Sequence, residues 1–130
     1  MIPKSKQAFS LVEVLVTIAV VAIVTVIAIP ALSHVNETAR DSSAKRNAQE
    51  IASISAAANA AGAYHVIPPF VPNGGIQGSI DLLSVGVLAQ QSDILFQYSI
   101  SETAAKEAEK YLEIRYTGSE FVLAYQANIN

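Results

Sequence analysis

Apolar and polar positions divide this chain into stretches with different periods. A short polar leader holds Lys4 and Lys6. An apolar entry follows from Ala8 to Val12, then a single carboxylate, Glu13. From Val14 to Leu32 the chain is apolar for 19 residues, with Thr17, Thr25 and Pro30 as the mild interruptions. At about 1.5 Å per residue that is roughly 28 Å of helix, close to one bilayer core. A secretory signal core is shorter, about 7–15 residues, and ends at a small-residue cleavage site, for which Ala31-Leu32-Ser33 is the available match. The run length and Glu13 favour a membrane span instead. A carboxylate costs about 2.5–3.5 kcal/mol at the centre of a bilayer and less near an end. Glu13 is therefore expected to have a function; the alternative is that it reaches the headgroups by snorkelling.

The next stretch, Ser33 to Ala61, has no proline or glycine and is rich in alanine, the best helix former. The helix is expected to continue to about Ala61 and to end at Gly62. Glu37–Arg40, Asp41–Lys45 and Arg46–Glu50 are spaced to support an exposed helical face. Ala44, Ala48, Ile51, Ser55 and Ala58 follow helical spacing and form a narrow stripe of small residues, suited to lie on a sheet.

Beyond Gly62 the periods change. Ile67 to Gly75 contains three prolines and two glycines and reads as a loop. Ser79 to Leu83 reads as a short helix capped by Ser79. Three alternating runs then read as strands: Ile94, Phe96, Tyr98 and Ile100; Leu112, Ile114 and Tyr116; Phe121, Leu123 and Tyr125. Glu102 to Lys110 fits a helical turn or a loop, and Thr117 to Glu120 a hairpin turn joining the last two strands. The predicted fold is α+β: one long N-terminal helix with a small C-terminal antiparallel sheet packed on its distal half.

The segment Ala8-Phe9-Ser10-Leu11-Val12-Glu13-Val14-Leu15 resembles the N-terminal signal of type IV pilins and type II secretion pseudopilins. That pattern is a short basic leader, a small residue, Phe, Ser or Thr, two aliphatics and Glu, opening a long apolar helix. Most members carry Gly before the cut; this chain has Ala8, the next smallest residue. The resemblance implies a pilin-like fold with a leader at 1–8, a transmembrane and polymerisation helix at 9–32, and a globular domain at 33–130 that includes the distal helix to about residue 62. It implies prepilin peptidase cleavage between Ala8 and Phe9, methylation of the Phe9 amine, subunit assembly through Phe9 and Glu13, and a helix bend at Pro30. The implied partners are the peptidase, further copies of the chain and other pilin-like subunits, an inner-membrane assembly platform with its ATPase, and the lipid bilayer. The implied location is the inner membrane, single-pass with the bulk on the periplasmic side, and then a pilus or pseudopilus. The competing classes are a soluble secreted binding domain behind a signal peptide, and an uncleaved single-pass receptor.

Composition narrows the chemistry. The 130 residues allow one domain, and no cysteine is available for a disulfide. Net charge is −3; removing Lys4 and Lys6 takes the basic count from 8 to 6 against 11 acids, or −5. That balance offers nucleic acid no general attraction. No catalytic constellation, phosphate-binding loop or set of converging metal ligands is present in the sequence. The expectation is a non-enzyme without cofactor or metal. His34 and His65 stand alone and are expected to be structural or solvated. Asn36-Glu37-Thr38 matches a glycosylation triplet, a pattern common by chance. Tyr98, Tyr111, Tyr116 and Tyr125 are expected to pack within the sheet.

Overall fold

The computed structural model describes residues 8–127, the Ala31 side chain excepted. In sequence order the elements are α1 (Leu11–Ala60), α2 (Gly75–Val85), β1 (Val87–Leu88), β2 (Leu95–Phe96), α3 (Glu102–Glu109), β3 (Leu112–Tyr116) and β4 (Phe121–Tyr125). The fold is α+β and pilin-like, a long N-terminal helix followed by short helices and small antiparallel ladders. The chain divides after Ala39 into two compact units.

In the first unit, α1 is apolar on every side between Val14 and Leu32, and each large apolar side chain there is at least half exposed. A helix apolar all round requires a surrounding that is not water. Its polar interruptions are satisfied internally. Thr17 Oγ1 donates to the Glu13 carbonyl and Thr25 Oγ1 to the Val21 carbonyl, both at 2.7 Å. Bonds of this kind matter in hydrocarbon, where an unpaired hydroxyl has no water to turn to. Pro30 lies inside the helix and supplies no N–H. Ser33 Oγ donates to the Pro30 carbonyl at 2.9 Å.

In the second unit the predicted stripe is the buried face of α1. Ala44, Ala48, Ile51, Ser55 and Ala58 are each less than 5% exposed. Ala44, Ala48 and Ile51 pack in one cluster with Ile80 and Leu83 of α2, Ala105 and Ala108 of α3, and Tyr111, Leu112 and Leu123 around the β3–β4 ladder. Alanines at these positions let the neighbouring elements approach closely. The helix closes as predicted at Gly62, which adopts φ +78°. The Gly62 N–H donates to the Asn59 carbonyl at 2.9 Å and the Ala63 N–H to the Ala58 carbonyl at 2.8 Å. These are the two bonds of a Schellman cap, and its apolar partners Ala58 and Ala63 are both fully buried.

Three expectations are corrected. Ser79 does not cap a helix. Helix α2 begins four residues earlier, with Gly74 at its N-cap. A β-carbon on Gly74 would lie 2.2 Å from the Pro68 carbonyl oxygen, so the loop folds back onto a position only glycine allows. Ser79 is instead buried within the helix, where its hydroxyl donates to the Gly75 carbonyl (2.7 Å) and accepts from the Ile67 N–H (2.9 Å). Second, the strand expected from Ile94 to Ile100 is reduced to Leu95–Phe96. The Tyr98 N–H donates to the Leu83 carbonyl (3.0 Å), so the C-terminal end of α2 takes a backbone hydrogen bond that a strand neighbour would have used, and the Gln97 side chain adds Nε2 to the Ser84 carbonyl (3.0 Å). Third, there is no three-stranded sheet among the described residues. Two separate antiparallel pairs form, β1 with β2 and β3 with β4. The β3–β4 register runs from Leu112 opposite Tyr125 to Tyr116 opposite Phe121, across the predicted hairpin. Glu102–Glu109 is a helix, capped by Ser101, whose hydroxyl accepts from the Ala104 N–H.

Tyrosines join the strand region to α1 through their hydroxyls as well as their rings. Tyr98 OH donates to Glu50 Oε2 at 2.8 Å. Tyr111 OH donates to Asp41, which also pairs with Lys45 at 2.7 Å. Of the three charge pairs expected along the helix, Asp41–Lys45 closes, while Glu50 is engaged by Tyr98. Burial, then the Glu50 carboxylate, pushes the Tyr98 hydroxyl up to about 12. The Lys45 and Tyr111 hydrogen bonds hold Asp41 below the usual carboxylate range.

Candidate functional site

The residues singled out by sequence at the N-terminus lie at the mouth of α1. Lys4 and Lys6 fall outside the described residues. Ala8, Phe9 and Ser10 precede the first helical turn, and all three are exposed. Ser10 takes the N-cap position: its hydroxyl accepts from the Glu13 N–H at 3.2 Å, and its carbonyl accepts from the Val14 N–H at 3.1 Å. A serine cap of this kind contributes about 1 kcal/mol to a helix start. Sequence reading missed this cap. Its signal is Ser10-Leu11-Val12-Glu13, the Ser-x-x-Glu spacing of a capping box, with Phe9 and Val14 in the flanking positions of a hydrophobic staple.

Glu13 is the acidic residue of the first turn, where the partial positive charge of the helix start favours a carboxylate. It is exposed. Among the described residues the ion pairs are Asp41–Lys45, Glu102–Lys106 and Glu113–Arg115, so none of them neutralises Glu13. The site thus presents a charged carboxylate at the end of an apolar helix, five positions from Ala8. Pro30 is within the same helix, well separated from Glu13 along the chain.

Residues 3–29 match the prokaryotic N-terminal methylation motif. This chain carries the type IV pilin and pseudopilin prepilin cleavage motif. The prepilin motif marks a pilin-like precursor, the kind of chain that prepilin peptidase processes. Helix α1 contains a stretch long and apolar enough to cross a membrane, as a membrane-anchored pilin requires. No match to a curated protein or to a solved structure was found.

Other candidate chemistry is quiet. Among the described residues no group of three or more His, Asp or Glu side chains converges as a metal site would. His34 is exposed on α1. His65 is buried, with Nδ1 2.9 Å from the Ala63 carbonyl and Nε2 2.8 Å from Ser55 Oγ. The carbonyl can only accept, so Nδ1 carries the proton and Nε2 accepts from the serine hydroxyl. Both partners are structural: the pair bolts the segment after the Schellman cap to the buried face of α1. Burial pushes the His65 ring below the ordinary histidine value, against a smaller upward pull from the Ala63 carbonyl.

Proposed function

We propose that this chain is a structural subunit of a type IV pilus or a type II secretion pseudopilus, polymerised through its N-terminal helix. The observation that carries the reading is Glu13, a carboxylate without a partner among the described residues, set within the matched motif at the start of an exposed apolar helix. Prepilin peptidase cuts between Ala8 and Phe9 and the new Phe9 amine is methylated. A free α-amine has a pKa of about 7.7–8.0 and is largely cationic at neutral pH. In a bundle of such helices the Phe9 amine of one subunit neutralises Glu13 of its neighbour. Two charges in an apolar setting are tolerated when paired, so the pair favours adding a subunit in register.

On this reading residues 1–8 are the leader, 9–32 the membrane and polymerisation helix, and 33–130 the globular domain. Pro30 bends the helix near the end of the span. The precursor waits in the inner membrane with its bulk outside the cytoplasm. An assembly platform with its ATPase supplies the energy, and the chain then leaves the bilayer for the filament in contact with other pilin-like subunits.

The mass of the mature N-terminus tests this. A chain beginning at Phe9 with one added methyl is the expected result. A chain beginning near His34 makes the protein a secreted soluble domain, and an intact Met1 makes it a permanent single-pass anchor; either overturns the proposal.

A further inference from the structure

A cleft of about 500 Å³ opens beside the C-terminal end of α1, lined among others by Asn59, Tyr64, Ser119, Glu120 and Phe121. Asn59 is 6% exposed. Its amide is held in place by Nδ2, which donates to the Phe121 carbonyl at 3.2 Å. Its Oδ1 is buried at the cleft without a hydrogen-bond partner among the described residues. A buried acceptor left unmade costs about 1–3 kcal/mol, so such an atom points to a missing donor. Glu120, half-buried at the same cleft, belongs to none of the ion pairs. Tyr64, 62% exposed, and Phe121 add aromatic rings.

The buried unmatched atom is an acceptor, the Glu120 carboxylate adds a second, and Tyr64 and Phe121 give the cleft two aromatic rings beside Ala60 and Val66. A ligand that fits brings several N–H donors and a positive charge. An arginine guanidinium does so, with five donors and a flat face that stacks on rings. The chain itself carries two exposed arginines outside the ion pairs of the described residues, Arg40 and Arg46; Glu37 is left for Arg40, its expected partner on the helix, whereas Arg46 has lost its own. Arg46 is exposed on α1 and makes no ion pair among the described residues, because its expected partner Glu50 is engaged by Tyr98. We propose that the Asn59–Glu120 cleft is a subunit contact that receives the Arg46 side chain of a second copy. This rests on the filament reading for its occupant, while the chemistry of the cleft stands apart from it.

The test has two arms on the full-length chain. In detergent micelles, the Asn59 side-chain amide signal is followed by NMR during titration with N-acetyl-arginine amide and with its neutral isostere, N-acetyl-citrulline amide. The arginine compound is expected to give a saturable shift, the citrulline compound none, and Glu120→Gln to weaken the arginine response about fivefold. No shift, or equal shifts from both compounds, overturns the cleft. In membranes of the assembling cell, copies carrying Glu120→Cys and copies carrying Arg46→Cys, distinguished by tags, are joined by a bismaleimide about 10 Å long, because a paired arginine and glutamate hold their backbones farther apart than the roughly 7 Å a disulfide spans. The chain has no cysteine of its own, so a mixed dimer reports this contact alone. A parallel Val16→Cys chain reports contact through the apolar helix. A mixed dimer supports the proposal. Helix dimers without the mixed dimer overturn Arg46 of a second copy as the occupant while the filament reading stands. Absence of both overturns the occupant and the filament reading together.

Discussion

His65 offers a test of the core by pH. The ring is buried, its Nδ1–H donates to the Ala63 carbonyl, and its Nε2 accepts from Ser55, itself fully buried on α1. A protonated ring has two donors, and the second then faces a hydroxyl that must give up its own donation. Burial accordingly holds the ring below the ordinary histidine value. The sign follows. At pH 7.5 folded and unfolded chains both carry a neutral ring, and stability is at its full value. As pH falls through about 6.5, the unfolded chain binds a proton that the folded chain refuses. Stability then declines, with about 1.4 kcal/mol per pH unit as the upper limit of the slope for one proton, until pH passes the lowered folded value. Asp41 is held low by Lys45 and Tyr111, so its contribution is lost at more acidic pH and leaves this window undisturbed. Urea unfolding of the full chain in micelles, followed by tyrosine signals from pH 7.5 to 5.0, measures the slope. His65→Gln keeps every other titrating group and removes this one. The substitution is expected to lower stability at pH 7.5 and to flatten the pH dependence. Equal slopes for the two proteins refute the argument.

Three further substitutions probe the remaining elements. Ile51→Ala removes a fully buried side chain from the main cluster and is expected to cost about 2–5 kcal/mol, read as a lower urea midpoint at unchanged slope; a loss under about 1 kcal/mol means the cluster collapses around the gap. Gly62→Ala places a β-carbon at φ +78° and is expected to cost about 1–2 kcal/mol, although nothing lies within 4 Å of it; an unchanged midpoint shows that the cap relaxes. Glu13→Ala is expected to leave membrane insertion intact and to abolish filaments, and sheared filaments in normal amount contradict the proposed pairing.

The legible parts of this fold are those specified by local pattern. The apolar run to Leu32, the buried stripe from Ala44 to Ala58, and the stop at Gly62 are each set by period or by one residue's backbone freedom, and each is found where expected. The β3–β4 hairpin is legible for the same reason, since strands and turn are contiguous. What failed was the assignment of partners at a distance. Ile94 to Ile100 has the alternation of a strand, yet past Phe96 the Tyr98 N–H and the Gln97 side-chain amide meet the C-terminal end of α2. Alternation records which side chains are buried and not which backbone accepts the hydrogen bonds. The start of α2 was misplaced because Gly74 and Gly75 look like a loop; the constraint that makes them a helix start is the return of Pro68 to within contact, a feature that spacing alone does not express. At the functional end, Glu13 was legible from its cost, while the Ser10 cap was present in the same four residues and passed unread.

That cap raises a sharper question about Glu13, because a glutamate at the capping-box spacing, in the first turn of the helix, has a local reason to be there. Magnitudes separate the roles. Favourable placement at a helix start is worth about 0.3–1 kcal/mol, against about 2.5–3.5 kcal/mol for a charge at the bilayer centre and a fraction of that near the edge. The local term alone offsets only an edge position, and deeper placement demands an opposite charge. Glutamine distinguishes the two, since a capping box accepts Gln as well as Glu at this position. If the local role governs, Glu13→Gln behaves as the wild type and only Glu13→Ala is impaired. If pairing with the Phe9 amine of a neighbour governs, Gln fails as Ala does, because it brings no charge, while both variants insert normally and are cut to begin at Phe9. The assay is the ratio of filament to membrane-bound subunit in sheared cells, with N-terminal mass as the control for cleavage. Wild-type filament yield from Glu13→Gln refutes the charge pairing and returns Glu13 to its helix.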